Sequence, residues 1–185
     1  LQPDGCAGEE RLMVLDQDEK TVVLEGLPAA TQPPVISLFR RFSAPVTWDA
    51  GQTIDDLFAL FAGDSDAFAR WDAGQQLWKR LLLARAAGTP EVALEALMLN
   101  AIQQLLSDGG EQDPAVLATL LVFPGPAELE SLQKEADPPA LERAACELRE
   151  QLGSQLATLL QSRLDGGAAR LDQVWPAGQG ERQLT

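Results

Sequence analysis

The side chains of this chain that could act as nucleophiles have no histidine beside them to serve as a base. The sequence contains two cysteines, Cys6 and Cys146, and three lysines, Lys20, Lys79 and Lys134, but no histidine and no tyrosine. Without an imidazole, neither a Ser-His-Asp nor a Cys-His system can be built, and no histidine-ligated zinc is possible. Two cysteines are also too few for a thiolate metal site or a disulfide framework.

The other candidate groups have structural interpretations. Cys146 lies beside the apolar stripe of a predicted helix, which is typical of a partly buried structural thiol. Asp55 and Asp56 stand at a predicted helix start, where carboxylates complement the positive end of the helix dipole. The glycine pairs at 109–110 and 166–167 do not follow a strand and open a helix, as a phosphate-binding loop requires. The sequence thus predicts no catalytic, cofactor-binding or metal-binding residue, and it disfavours a hydrolase based on Cys146 or a carboxylate.

Aromatic residues recur at helical spacing in the middle of the chain. Trp71 and Trp78 are seven residues apart and share a helix face with Phe68. Such a stripe could stack on a ligand, but core packing is the usual role of aromatic residues at this spacing. Arg70 and Asp72 flank Trp71, and we expect them to fix this helix against its neighbours through ion pairs or caps.

Charge and length bound the classes of protein that remain. The chain has 185 residues, 45% of them hydrophobic, and 14 basic against 28 acidic residues give a net charge of −14. This size is typical of a single domain and also fits one domain plus a piece of another. The negative charge argues against nucleic acid and anionic membranes as partners. No apolar run approaches the roughly 20 residues of a membrane span. The chain begins at Leu1 and its first methionine is Met13, which we interpret as an excised or processed segment.

The first 47 residues have the pattern of β-structure. Residues 12–15 and 21–24 are short β-prone runs around a polar loop, which predicts a hairpin. Prolines follow, and the apolar run at 35–42 predicts a third strand. Three strands are too few for a free-standing sandwich. We therefore expect residues 1–47 to be the edge of an incomplete β domain.

From residue 48 onward the pattern is helical, and it predicts an antiparallel array of helical hairpins resembling an α-solenoid, without a repeat of fixed period. Thr53 is placed to cap the first helix and Gly63 to end it, whereas residues from 165 onward are expected to form a loop. Three later helices are expected to begin with an N-cap oxygen before a proline. The expected helical segments are 53–63, 68–88, 89–109, 113–122, 126–134 and 137–164, and the Xaa-Pro starts are Thr89-Pro90, Asp113-Pro114 and Asp137-Pro138.

Two motifs resemble the zinc aminopeptidase N family, in its bacterial and plastid alanyl aminopeptidase branch. Residues 42–46 read FSAPV, and residues 68–77 read FARWDAGQQL, similar to the family's F-x-R-W-[DE]-A-x-Q helix. Residues 113–124 are similar to its D-P-x…L-x-x-P stretch, and the helix from Asp137 resembles the one that follows. The similarity is collinear from about residue 12 to residue 164.

The resemblance implies that residues 1–47 are the last strands of an immunoglobulin-like domain and that residues 48–185 begin a helical C-terminal domain. It also implies that the full-length family binds zinc through an H-E-x-x-H helix and a distant glutamate, and holds the substrate amine in a G-x-M-E-N loop. None of these motifs occurs here, so no catalytic residue is carried over and the chain alone is expected to be inactive.

We therefore interpret the chain as a non-catalytic segment that walls the peptide chamber of such an enzyme. Its partners would be the catalytic domain of the same polypeptide and, in the full-length family, peptides; zinc would belong to the full-length family only. The alternative is a stand-alone helical interaction module derived from that family. Two cysteines and the lack of a signal segment favour the cytoplasm or an organelle stroma.

Overall fold

The computed structural model describes residues 13–23, 33–46, 48–107 and 113–171, with side chains described through residue 165. These ranges contain a short 3-10 turn followed by six α-helices and no β-strand. The chain is thus mainly helical over its described part, as predicted from residue 48 onward. The turn is Arg40–Phe42, and the helices are α1 (Ile54–Gly63), α2 (Ala67–Ala86), α3 (Val92–Ser107), α4 (Pro114–Leu120), α5 (Pro126–Ser131) and α6 (Pro138–Leu171).

Several helix starts are fixed by side-chain caps. Thr53 and Asp56 form a reciprocal capping box, in which the Thr53 hydroxyl accepts from the Asp56 amide at 3.2 Å and the Asp56 carboxylate accepts from the Thr53 amide at 2.9 Å. Asp113 accepts from the Ala115 amide at 2.8 Å before Pro114, confirming the second Xaa-Pro start. Asp137 caps α6 in the same way, through the Ala140 amide at 3.0 Å.

The Thr89-Pro90 start is the exception. The Thr89 hydroxyl donates to the carbonyl of Ala84 at 3.3 Å and so closes the end of α2, while α3 begins later, at Val92. Gly88 explains this arrangement, because its φ of +73° turns the chain out of α2 through a left-handed conformation that favours glycine. The prediction of a Thr89 cap on α3 was therefore wrong.

Helix α2 is the central element of the array and packs against α1, α3, α4 and α6. Its buried face combines with large apolar side chains of its neighbours, all of them almost fully excluded from solvent. Burial of such side chains from water is the main favourable term for this fold. The largest of them are Trp78, Phe61, Leu77, Leu81, Leu82, Met98, Ile102, Leu106 and Leu148.

A polar network also crosses this interior. Arg85 on α2 donates to Glu95 on α3 at 3.1 and 2.7 Å and to Gln151 on α6 at 2.6 Å. The Glu95 side chain is 5% exposed and that of Arg85 is 14% exposed. Because both charges are largely withdrawn from water, Glu95 is the buried counter-charge of Arg85, which also lies 3.6 Å from the exposed carboxylate of Glu147. The network thereby ties three helices together at one point.

The described residues ahead of α1 differ from the strand prediction. Residues 13–15 and 21–23 form no β-ladder with each other. The Lys20 side chain instead donates to the Val14 carbonyl at 2.6 Å, and Val14 is 63% exposed. Residues 35–42 end in the Arg40–Phe42 turn. A strand needs a partner backbone, and here the Ile36 carbonyl accepts from the Gln52 side chain at 3.2 Å. Leu12 and Leu24 of the predicted hairpin lie outside the described residues.

The C-terminal helix is longer than predicted. The backbone of α6 remains helical to Leu171, although a loop was expected from residue 165. Each glycine in a helix interior costs about 1 kcal/mol relative to alanine, but extending a formed helix is easier than nucleating one. Gln161 also donates to Asp165 one turn later at 2.8 Å. Helices α4 and α5 end two and three residues earlier than expected.

Candidate functional site

Several polar contacts form a joint between the Arg40–Phe42 turn and residues 64–66, which connect α1 to α2. The Arg40 guanidinium donates to the carboxylate of Asp64 at 2.6 Å and to the hydroxyl of Ser65 at 2.7 Å. The side chain of Asp64 is 2% exposed and that of Arg40 is 22% exposed. An ion pair this sheltered is screened less by salt than a surface pair.

Asp66 serves both sides of the joint. Its carboxylate accepts from the Arg41 amide through both oxygens at 3.1 Å and from the Ala69 amide at 2.9 Å. The second contact caps α2, and the first attaches the chain ahead of α1. The residue is 8% exposed. One buried carboxylate therefore both starts the central helix and positions the turn.

The backbone of the turn is strained. Phe39, Arg41 and Phe42 have φ values of 50°, 56° and 54°. Each lies in the left-handed region, which costs a residue with a side chain about 1–2 kcal/mol. Such conformations persist only where neighbouring contacts determine them. The hydrogen bonds of Arg40 and of the Arg41 amide supply contacts of that kind.

Aromatic rings extend the joint along α2. Phe42 packs edge-on against Phe68 with ring centres 5.2 Å apart, and Phe68 lies 5.7 Å from Trp71. Phe39 packs in the same edge-on manner on Trp48 at 5.5 Å. The shared core stripe predicted for Phe68, Trp71 and Trp78 is thus divided, because Trp78 is fully buried whereas Phe68 and Trp71 are half-buried.

Trp71 borders an open groove of about 180 Å³ between α2 and α4. Its lining consists of apolar residues and one threonine, so it offers van der Waals surface and no carboxylate, thiol or amine for chemistry. The lining residues are Ala67, Trp71, Ala115, Val116, Thr119 and Leu120.

A second set of contacts holds the chain where α4 ends. The Trp78 indole donates to the Leu120 carbonyl at 3.0 Å, and the Gln75 amide donates to the Val122 carbonyl at 2.8 Å. The ring of Phe123 lies 4.8 Å from Trp78 and beneath the guanidinium of Arg149 at 5.2 Å. Residues 120–123, which overlap the L-x-x-P pattern at 121–124, are therefore held by α2 and α6.

The other residues singled out in the sequence have structural contacts or lie at the surface. Arg70 fixes α2 against α1, as expected, by donating to the Phe61 carbonyl at 3.0 Å. Asp72 accepts from Gln76 of its own helix at 2.9 Å. Cys146 is exposed, so the prediction of a partly buried thiol was wrong. It lies two residues after the buried Ala144, which places it on the other face of α6 from the apolar stripe.

Asp55 and Asp56 occupy the first turn of α1, as predicted. Hydrogen bonds from the backbone and the hydroxyl of Thr53 lower the pKa of Asp56 below its ordinary value of 3.8. The carboxylate is thereby stabilised in its charged form as a cap. Among the remaining candidates, Lys79 pairs with Glu128, whereas Cys6 lies outside the described residues.

The residues of the joint were not anticipated from the sequence. Asp66 alone carried a usable signal, because an aspartate directly before a helical run is a preferred N-cap. Within residues 13–23, 33–46, 48–107 and 113–165, no group of three metal-ligating side chains is present. The histidine-free donor set of the chain does not fit an H-E-x-x-H zinc site. In the same part of the chain, no helix has the length and apolar character to cross a membrane.

Two family models match the chain, and they meet close to the joint. Residues 54–185 match the family described as "Domain of unknown function (DUF3458_C) ARM repeats". Residues 1–51 match "Domain of unknown function (DUF3458) Ig-like fold". The first match covers more than half of the chain, so the chain belongs to the DUF3458_C family of ARM-repeat helical domains.

The similar proteins are aminopeptidases. Aminopeptidase N of Caulobacter vibrioides is 38% identical over 158 residues, covering 85% of this chain and 18% of the relative. Aminopeptidase N of Escherichia coli is 33% identical over 134 residues, covering 71% and 15%. A crystal structure of Legionella pneumophila aminopeptidase A in complex with aspartic acid matches with a TM-score of 0.69 and 25% identity, covering 83% and 19%. The resemblance to the aminopeptidase N family is confirmed, and the chain spans less than a fifth of each relative.

Proposed function

We propose that this chain is a non-catalytic part of an aminopeptidase N-type zinc metallopeptidase and helps to wall its peptide chamber. In this proposal residues 1–47 end an immunoglobulin-like domain, and residues 48–185 begin the helical C-terminal domain. The observation that carries the proposal is the homology to aminopeptidase N over 85% of the chain. The catalytic work would be done by a part of the polypeptide beyond the residues described above.

The geometry of the array suits a wall. Its interior is closed by large apolar side chains around α2, and the Arg85 network joins three helices at one point. A rigid layer of this kind can define the shape of a chamber without contacting the reacting atoms. The groove at Trp71 is lined by apolar residues and one threonine. Such a surface suits a wall that limits which peptides fit the chamber, and it has no group that would transfer a proton.

Zinc and peptides would act elsewhere in the full-length enzyme. When bound there, zinc supplies a Lewis acid and an activated water for amide hydrolysis. The described residues contain no group of three side chains that could hold a metal ion, so no step is assigned to these helices. A location in the cytoplasm or an organelle stroma is part of the same proposal.

A chimera tests the role of the array. The homologous segment of the Caulobacter aminopeptidase N would be replaced by residues 1–185 of this chain, and in a matched control by a glycine-serine linker of equal length. We expect the chimera to cleave a small alanyl amide and to retain the parent's preference between that amide and a long peptide. The linker control should lose this size preference. A linker variant with the parent's preference would contradict the proposal.

The alternative is a stand-alone helical interaction module derived from the same family. The two functions differ in what precedes Leu1 in the reading frame. An upstream H-E-x-x-H motif supports the wall, and a reading frame without it supports the module.

A further inference from the structure

The Arg40–Phe42 turn combines strain with attachments to a distant part of the chain, in addition to local hydrogen bonds with Ser37 and Ser43. Three residues with side chains have positive φ between positions 39 and 42. The turn is held to residues 64–66 by the Arg40 guanidinium and by the Arg41 amide, at 2.6–3.1 Å. These partners are 24–25 residues away along the chain. Local backbone preference therefore opposes the turn, and tertiary contacts impose it.

The turn lies close to the boundary between the two family matches. It lies on the part of the chain that matches the Ig-like model, whereas residues 64–66 belong to the part that matches the ARM-repeat model. The aromatic contact from Phe42 to Phe68 spans the same boundary. The boundary is thus crossed by an ion pair, an amide–carboxylate contact and a ring contact.

We propose that this joint is a two-state lock between residues 33–46 and the helical array. In the closed state Arg40 engages Asp64 and the turn is strained. In the open state the pair is broken, Phe39, Arg41 and Phe42 relax to right-handed or extended conformations, and Phe42 leaves Phe68. Strain favours cooperative opening, because losing the Arg40 contacts leaves the left-handed residues held to residues 64–66 by the bonds of the Arg41 amide to Asp66 and by the contact of Phe42 with Phe68, and these must then oppose the strain without the ion pair.

This inference deepens the proposed function and rests on it for its biological meaning. In a full-length aminopeptidase the closed lock would fix the array against the preceding domain. Opening would free the array to change its angle, and with it the shape of the chamber. The lock itself is a property of this chain and can be tested without zinc, peptide or activity.

The first test breaks the ion pair from the side of the turn. Arg40→Met keeps an unbranched apolar side chain and leaves residues 64–66 unaltered. We expect amide hydrogen exchange over residues 33–46 to accelerate at least about tenfold, with exchange in α2 and α6 unchanged. Unchanged exchange over residues 33–46 would overturn the proposal, and so would equal acceleration throughout the helices.

The second test isolates the strain. Arg41→Gly and Arg41→Ala remove the same side chain and keep the amide that donates to Asp66, but only glycine accepts a φ of 56° without penalty. We expect exchange over residues 33–46 to be several-fold slower in the glycine variant than in the alanine variant. Equal rates, or faster exchange with glycine, would show that the turn stores no strain and would overturn the lock. A chimera that fails while both exchange tests succeed would contradict only the chamber role.

Discussion

The indole N–H of Trp78 on α2 donates a hydrogen bond of 3.0 Å to the carbonyl of Leu120, the last residue of α4. This contact joins positions 42 residues apart in a fully buried setting. A carbonyl at a helix end has no intrahelical partner, so Trp78 satisfies a group that would otherwise be buried and unpaired.

Replacing this tryptophan should therefore cost more than lost ring volume. Trp78→Phe keeps an aromatic ring but leaves the Leu120 carbonyl without its donor, and we expect a loss of about 2 kcal/mol in the free energy of unfolding. The half-buried Trp71 is the matched control, and Trp71→Phe should cost about 1 kcal/mol or less. Urea unfolding followed by far-UV circular dichroism measures both. Equal losses would contradict the role of the hydrogen bond.

At Gly74, α2 packs closely against Phe61 of α1. A Cβ at this position would lie 3.0 Å from two ring carbons of Phe61, which is itself fully buried. We expect Gly74→Ala to destabilise the chain by about 1–3 kcal/mol through overpacking.

Gly153 provides the opposite case on α6, because a Cβ there would meet nothing within 4 Å. Gly153→Ala should raise the free energy of unfolding by about 0.5–1 kcal/mol through helix propensity. Thermal unfolding of the two variants gives shifts of opposite sign if the packing is as described. Stabilisation by Gly74→Ala would contradict it.

The capping box of α1 should make stability depend on pH in the acid range. Because the pKa of Asp56 is lowered on folding, its contribution is present above the unfolded value of 3.8 and is lost as pH falls through the folded value. We expect the stability difference between the parent chain and Asp56→Asn to shrink between about pH 5 and about pH 2.

Thr53 supplies the controls for this dependence. Thr53→Ala removes the hydroxyl that bonds to Asp56 and should weaken the pH dependence, whereas Thr53→Ser keeps that hydroxyl and should retain it. Unfolding midpoints measured across the pH range decide the question. A difference between the parent chain and Asp56→Asn that stays constant with pH would rule out the cap as its source.

The Arg85–Glu95 pair should contribute more to the free energy of unfolding than an exposed ion pair does. Glu95→Gln removes the buried charge that compensates Arg85 and leaves only the exposed Glu147 carboxylate at 3.6 Å. We expect a loss of about 1.5–3 kcal/mol in the free energy of unfolding. The exposed pair of Arg80 and Glu91 is the control. Its hydrogen bonds raise the pKa of Arg80, but Glu91→Gln should cost about 1 kcal/mol or less. Denaturant unfolding at low and high salt compares the two, and equal costs would contradict the argument.

The helices were predictable wherever their ends are determined locally. Thr53, Asp113 and Asp137 bond to amides two or three residues away, so the cap residue and the start it specifies are neighbours in the sequence. The apolar spacing of α2 likewise identified Trp78, Leu81 and Leu82 as buried, whereas Phe68 and Trp71 of the same predicted stripe are only half-buried.

The segment ahead of α1 could not be predicted in this way. Apolar runs at 35–42 favour a strand, but Asp64, Ser65 and Asp66 hold the chain in a left-handed turn instead. The residues that make these contacts are 24 or 25 positions apart in the sequence. A periodic pattern of apolar residues does not indicate contacts of this kind. The groove at Trp71 was missed for the same reason, because it forms only where α2 and α4 meet.

The most direct test of the central claim is made on the isolated chain. Purified protein, loaded with zinc and then desalted, is assayed for bound metal and for cleavage of an amino-terminal alanyl amide. If the chain is the non-catalytic part of an aminopeptidase, it retains no stoichiometric zinc and releases no alanine above the blank. Stoichiometric zinc, or turnover that copurifies with the chain and is abolished by chelation, would contradict the account.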